Sequence, residues 1–271
     1  MPPAVPLADF RLSRRLERAE GHAGARYAEA RRHLFPASGA EWIECAGAYA
    51  IFDGINSPVT QSFGLGLFEE LRADSLDVIE RFFRDRGAPV MHEVSPFAGI
   101  PALDLLCGRD YRPVEVSNVL YRTVEAPAAP EQDHIRVRVA GPEEAPLWTD
   151  VSTRGWAHEH PEFREFLMEM GTISSERNDS PCFLAEFGDQ PGATGVLCLH
   201  DGVALFGGAS TVPEMRRRGL QTALLHERMR YAFEHACDLA MIVALPGSDS
   251  QRNAERNGFR VAYTRTKWRL P

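Results

Sequence analysis

A chain of 271 residues with 44% hydrophobic and 25% charged residues holds enough apolar material for a sizeable core, and its length suits two ordinary domains. The formal net charge of -8 gives no global attraction to phosphate backbones or anionic lipid, so a nucleic-acid or membrane partner would need a strongly local basic patch. No stretch reaches the roughly 18 apolar residues of a membrane span, and Asp9, Arg11, Arg14, Arg15, Glu17 and Arg18 stand where a signal peptide needs its apolar centre, so a cytoplasmic location is expected.

In chain order, helical patterning covers residues 8–20 and 24–34, with Gly21 and Gly24 between or kinking the two stretches. "EWIECAGAYAIF" (41–52) and "VTQSFGLGLF" (59–68) have strand composition and flank the turn signal "DGINSP". "SLDVIERFFRDRG" (75–87) sets Leu76, Ile79, Phe82 and Phe83 on one helical face, with Gly87 past its end. A strand "PVMHEV", a helix and turn, and a strand "VEVSNVLYR" complete the first half, and the Pro/Ala-rich "EAPAAPEQ" (125–132) is the expected domain boundary.

The second half opens with a strand at 134–140 and helices around 142–157 and 161–171. Strands are expected at 182–187, 194–199 and 203–210, then a helix over 217–236 with Leu225, Met229, Phe233 and Ala236 on its core stripe. A strand at 239–245, a helix at 248–257 and a closing strand to about 269 follow. Each half mixes strands with helices, which implies an α/β class with a mixed sheet flanked by helices. "RDYRPVEVSNVLYR" (109–122) and "NGFRVAYTRTKWR" (257–269) superpose with Tyr111 on Phe259, and the same element order precedes both, which points to an internal duplication.

Cys45, Cys107, Cys182, Cys198 and Cys237 are odd in number and never form a C-x-x-C pair, which argues for free thiols rather than a disulfide framework or zinc site. "HEH" at 158–160 lacks further ligands at useful spacing, so no metal is expected. Cys198 and His200 share a strand face, where a nucleophilic pair competes with a packed thiol beside a surface histidine. No catalytic residue is identified from the residues themselves.

The basic triplet Arg216, Arg217 and Arg218, followed by Gly219, lies where an apolar strand hands over to a helix N-terminus. Unpaired backbone N–H groups and the positive end of the helix dipole favour an anion there, and a glycine lets a phosphate approach the main chain. Arg217 and Arg218 would add charge-assisted contacts and Thr222 a hydroxyl. Neither a Walker A loop nor a dinucleotide G-x-G-x-x-G fingerprint is present.

The pattern R-x-x-G-x-Q (Arg216, Gly219, Gln221), preceded by "VPE" and followed by "TALL", resembles the acetyl-CoA loop of the GCN5-related N-acetyltransferase (GNAT) family, usually Q/R-x-x-G-x-G/A. "SQRNAERNGF" (250–259) is similar to the family's later helix ending in Gly-Phe, and the resemblance covers roughly 134–271. It implies tandem acyl-CoA N-acyltransferase-like domains: 133–271 as the acetyltransferase domain, and 1–125 as a degenerate copy without a cofactor loop. It further implies acetyl-CoA as co-substrate. Ala209, Ser210 and Thr211 would offer backbone groups to the acetyl-pantetheine arm, and Arg217, Arg218, Gly219, Leu220, Gln221 and Thr222 would wrap the pyrophosphate. Ser248 and Ser250 would lie beyond the thioester wedge, beside the cofactor arm.

Two positions depart from the family pattern. Gln221 replaces a Gly or Ala, which should crowd the loop slightly while leaving its N–H available, and Ala254 stands where many relatives carry a Tyr thought to protonate the CoA thiolate. In the first half the corresponding junction reads "LRADSLDVI", where Asp74 and Asp77 would oppose a pyrophosphate. Glu186, Glu159 and His158 are candidate bases only because their elements border the acceptor side in the family.

The expected function is transfer of the acetyl group of acetyl-CoA to a primary amine of a small-molecule or peptide acceptor, without nucleic acid or membrane, by a monomeric pseudo-dimer or a homodimer. The alternative is a catalytically silent CoA-binding regulatory or partner protein.

Overall fold

A computed structural model of the chain describes residues 6–126, 134–158 and 161–271; most of the expected connector, and Glu159 and His160, lie outside them. In chain order the elements are α1 (Phe10–Leu34), β1 (Glu41–Cys45), β2 (Ala48–Phe52), β3 (Gln61–Phe63), α2 (Ala73–Arg84), β4 (Met91–Val94), α3 (Gly99–Gly108), β5 (Arg112–Thr123) and β6 (Ile135–Val139). There follow α4 (Ala145–Trp156), α5 (Arg164–Ser175), β7 (Cys182–Phe187), β8 (Gln190–His200), β9 (Val203–Thr211), α6 (Leu220–Glu234), β10 (Leu239–Ala244), α7 (Asp249–Arg256) and β11 (Arg260–Arg269). Among the described residues no helix is long and apolar enough to cross a membrane.

Two compact units emerge: one takes residues up to Arg122 together with Val243–Pro271, the other Thr123–Ile242. The division by sequence at 125–133 assigns the last 29 residues (243 to 271) to the second half, whereas their contacts lie in the first unit. The reason is hydrogen bonding: β11 pairs antiparallel with β4 on one side and β5 on the other.

In the first unit, β1, β2 and β3 form an antiparallel meander, and β3 meets β4 in parallel at Ser62↔His92 after the α2 crossover. Strand alternation places Ala48, Ala50 and Phe52 with Leu76, Ile79 and Phe83 of α2, while Tyr49 and Ile51 join Ala25 and Ala28 of α1. The sheet is therefore covered on both faces.

Helix α1 is one continuous element, not the two stretches that Gly21 and Gly24 suggested. Its start is fixed by Asp9, whose carboxylate accepts from Leu12 N at 2.9 Å. The two glycines serve packing: a Cβ on Gly21 would lie 2.8 Å from Tyr49, and one on Gly24 2.6 Å from Ile51. The helix 73–84 buries Leu76, Ile79, Phe82 and Phe83 as its periodicity demands, and Gly87 beyond it has φ 64°.

The second unit repeats this plan. β6, β7, β8 and β9 run antiparallel, and β9 meets β10 in parallel across the α6 crossover. Helix α6 covers β6–β9 on one face, while α4 packs on β8 and β9 and anchors Trp148, whose Nε1 donates to Phe183 O at 2.9 Å.

Polar groups buried in the first unit give its stability a pH dependence. Glu17, fully buried, has its pKa raised from 4.5 to about 7 by desolvation, against the pull of Arg265. The folded chain thus holds that proton more tightly than the unfolded chain, and Glu17's contribution to stability is lost as pH rises through about 7.

His92 runs the other way, lowered from 6.5 to about 3 by burial between Ser62 Oγ (2.7 Å to Nδ1) and Tyr111 OH (3.0 Å to Nε2). Its contribution is lost as pH falls below 6.5. The melting temperature is therefore expected to peak between pH 4.5 and 6.5, where the two slopes oppose. Glu17→Gln removes the alkaline limb, as thermal melts from pH 5 to 8 would register.

Candidate functional site

The junction between β9 and α6 is built by a strand that loses its neighbour. β10 pairs with β9 over Leu239↔Val203, Ala240↔Ala204 and Met241↔Leu205, and the register ends there although β9 continues to Thr211. On its other edge β9 carries a bulge: Thr194 faces Ser210, but Val196 faces Gly207, so one extra β9 residue is accommodated where Gly208 takes φ 58°. Ala209, Ser210 and Thr211 follow the bulge.

The end of β9 is held against α4. Ser210 Oγ donates to Ser152 O at 3.2 Å and lies 3.0 Å from Thr194 Oγ1. Gly155 permits this approach, because a Cβ there would fall 2.5 Å from Ser210 Oγ and 3.1 Å from Thr211 N.

From Thr211 the chain passes through a short 3-10 turn, Pro213–Met215, into the triplet. Arg216, Arg217, Arg218 and Gly219 are all exposed. Arg217 adopts φ 64° and Gly219 φ 86°, so two left-handed residues turn the chain sharply into α6. An arginine in that region is an outlier of the kind that clusters at ligand sites. Gly219 is the N-cap of the 15-residue α6 and offers no side-chain acceptor, so its first-turn N–H groups stay open to an anion.

The three arginines differ in placement. Arg216 reaches back, Nε to Thr211 O and Nη2 to Gly155 O, each at 3.4 Å. It straps the loop to the end of α4, as does the Arg154–Glu214 ion pair. Arg218 stacks its guanidinium 5.0 Å from the Phe187 ring. Leu220 is buried as the first helical residue and Thr222 lies half-buried in the first turn. Gln221 does not crowd the loop: its Nε2 donates to Ser210 O at 2.9 Å and Thr211 Oγ1 at 2.7 Å, tying α6 to β9.

Two expectations about α6 are corrected. It begins at Leu220 rather than 217, because Arg217 is left-handed. Its buried face is Leu220, Leu224, Leu225, Arg228, Met229 and Ala232; Phe233 is 44% exposed, and Ala236 lies past the helix end with φ 55°. An arginine on the core face shifts the apolar stripe that hydrophobicity alone would draw.

Ala209, Ser210, Thr211 and residues 216–222 are thus brought together within the second unit. Ser248 and Ser250 belong to the first unit: Ser248 Oγ caps α7 by accepting from Gln251 N at 3.2 Å, and Ser250 is exposed on that helix. Ala254 is buried in α7.

Among the candidate bases, Glu186 accepts from Arg138 Nη2 at 2.9 Å, and Arg138 also grips Glu144. Glu186 is therefore engaged in an ion-paired group. His158 is exposed near Glu214, and Cys198 Sγ rests 3.2 Å from Ser180 Oγ. Among the described residues no group of three or more His, Cys, Asp or Glu is arranged to hold a metal ion. Gly155, Phe187 and Arg228 escaped the sequence reading; the only signals were a glycine inside a helix, an aromatic at a strand end and an arginine in an apolar stripe.

The equivalent junction of the first unit is built differently. The chain leaving β3 folds Phe68 onto Gly47 and Gly64, where a Cβ would meet the ring at 2.9 and 2.8 Å, and Arg18 stacks on the same ring at 4.0 Å. Helix α2 then starts from Arg72 in extended backbone, with Asp74 in its first turn and Asp77 paired to Arg109 at 2.6 Å. No left-handed glycine opens it.

Residues 125–249 match the family model described as an acetyltransferase (GNAT) domain. Among solved structures, a GCN5-related N-acetyltransferase from Kribbella flavida is similar at TM-score 0.65 and 19% identity, covering 92% of this chain and 95% of that one. A tandem GNAT protein from the clavulanic acid biosynthesis pathway covers 99% and 98% at TM-score 0.57 and 11% identity. A GCN5-related N-acetyltransferase from Sphaerobacter thermophilus covers 82% and 76% at TM-score 0.57 and 21% identity. No curated protein matches the chain. Residues 125–249, the β9–α6 junction among them, thus match a GNAT acetyltransferase domain, and the fold along nearly the whole length is similar to that of a tandem GNAT protein.

Proposed function

We propose that the chain is an acetyl-CoA-dependent N-acetyltransferase acting on a primary amine of a small-molecule or peptide acceptor, in the cytoplasm. The observation that carries this reading is the β9–α6 junction, where an uncapped helix N-terminus, Gly219 and exposed Arg217 and Arg218 follow the segment of β9 that runs on beyond its pairing with β10. A pyrophosphate suits the N–H groups of Leu220, Gln221 and Thr222, and the free edge of β9 suits the amide-bearing pantetheine arm. The first unit's junction, closed by Phe68 and acidic at Asp74, supports assigning the cofactor to the second unit alone.

In this reading a neutral amine nitrogen attacks the thioester carbonyl carbon, an N–H of the β9 bulge steadies the oxyanion, the nitrogen passes its surplus proton to a water chain, the C–S bond breaks as the carbonyl re-forms, and the departing thiolate takes a proton back from water. Positioning supplies much of the rate, so the reaction does not depend on a fixed acid at Ala254.

A second reading, a silent CoA-binding partner, is favoured by Ala254 and by the engagement of Glu186 with Arg138. Calorimetric titration with acetyl-CoA, followed by free-thiol release across an amine panel, separates them. Saturable binding with amine-dependent thiol release supports the enzyme, binding without release supports the silent partner, and absence of binding removes both.

The left-handed Arg217 yields a prediction of opposite signs. Arg217→Gly relieves about 1 kcal/mol of backbone strain and is expected to hold or raise the melting temperature. It is also expected to weaken acetyl-CoA binding severalfold by removing a cation. Thermal melts and calorimetry on the same preparation test both halves.

A further inference from the structure

Arg228 is a buried cation without a carboxylate. It is 3% exposed on the core face of α6, and its pKa is pulled down to about 9 by desolvation alone. Its partners are main-chain oxygens: Nε donates to Leu224 O at 3.2 Å, and Nη1 donates to Val196 O at 3.2 Å and Gly207 O at 3.3 Å. The guanidinium also stands 4.9 Å from the Phe206 ring. Gly195 makes room for it, since a Cβ there would lie 3.0 Å from Cζ.

Val196 and Gly207 are register partners at the rim of the β9 bulge. One guanidinium nitrogen therefore joins both strands at the step where their ladder is interrupted. On the far side of the rim, Gly208 is left-handed and pressed against β8, since a Cβ there would lie 2.9 Å from Val196 Cγ2. A bulge with no side-chain support is free to relax its twist; this one is pinned from beneath. A solitary buried charge is expensive to retain, and carbonyls on ordinary ladder residues do not need one.

We propose that Arg228 is a positioning residue: by holding Val196 O and Gly207 O it fixes the bulge so that the N–H following Gly208 points at the thioester oxygen. The proposal rests on the acetyl-CoA reading above and concerns the carbonyl alone, because the pyrophosphate loop at Arg217–Thr222 lies outside Arg228's contacts.

The test uses full-length protein and acetyl-CoA carrying a 13C label at the carbonyl, observed by infrared difference spectroscopy without acceptor. On wild type the bound carbonyl stretch is expected to move to lower frequency than in free acetyl-CoA. Arg228→Met should bind within about threefold of wild type yet return the stretch to its free value, and Arg228→Lys, which still donates to carbonyls, should restore part of the shift. Methionine fills the buried site without a charge, and exchanging a buried charge for an apolar side chain of similar volume is commonly tolerated. Gly195→Ala provides a second variant, crowding the guanidinium while keeping it, and should reduce the shift.

A shift retained in both Arg228→Met and Gly195→Ala, or absent from wild type that binds, overturns the proposal. Wild type that does not bind acetyl-CoA overturns the cofactor reading beneath it. The two failures are thereby distinct.

Discussion

Reversing two charges, Arg217→Glu with Arg218→Glu, is expected to abolish acetyl-CoA binding. The pair stands exposed before an α6 N-terminus that has no side-chain cap. Charge-assisted hydrogen bonds contribute about 1.5–3 kcal/mol each, so losing two weakens binding by roughly two to four orders of magnitude, and the new carboxylates add repulsion. The wild-type affinity should fall with ionic strength, because these cations are solvated and screened over about 10 Å at 0.1 M salt. Arg11→Glu with Arg14→Glu makes the same change of net charge at exposed positions on α1 and should leave affinity intact. Unchanged calorimetric affinity in the 217/218 variant would sink the cofactor assignment.

The second large effect lies in the first unit. Arg265 on β11 is 2% exposed and gathers carboxylates from two other elements: Glu17 at 3.2 Å and Glu20 at 2.6 Å on α1, and Glu93 at 3.1 Å on β4. Its Nε hydrogen is directed at Ser117 Oγ, so Glu93 is close without being hydrogen-bonded through Oε2. Tyr263 OH also donates to Glu17 Oε1 at 2.9 Å.

Arg265→Leu removes the one side chain that neutralises Glu17 and Glu20 together. Breaking such a buried group costs about 3–5 kcal/mol, which corresponds to a melting-temperature loss of roughly 10 °C for a chain of this size. The loss should shrink at pH 5, where Glu17 takes up a proton. A melting temperature within about 2 °C of wild type at pH 8 would show that the group is energetically neutral.

The β9–α6 junction was legible in the sequence as a strand-to-helix turn because its determinants are local: an apolar strand, an arginine triplet, one glycine and a helix within some 25 residues. Gln221 shows where locality ends. Its identity was visible as a departure, but its bond to Ser210 and Thr211 depends on a strand ten residues earlier. The periodicity of α2 was read correctly because Leu76, Ile79, Phe82 and Phe83 carry its buried face, with only Glu80 buried beside them, and that of α6 was misread because Arg228 occupies a place in its stripe. Gly21 and Gly24 looked like breaks in α1, since their packing against Tyr49 and Ile51 is visible only once the strands are in place. The destination of β11 was beyond reach, because register partners such as Thr264 and Asn118 are separated by 146 residues.

That last pairing governs the order of synthesis and folding. Residues up to Arg122 of the first unit leave the ribosome before the second unit, but a slot between β4 and β5 stays open until β11 arrives. At about 5–20 residues per second, the stretch after β5 takes roughly ten seconds to half a minute to make. For that interval two strand edges and the carboxylates of Glu17 and Glu93 wait without β11. The unit begun before the other is completed only after it, and synthesis arrested before β11 emerges leaves β4 and β5 without the strand between them.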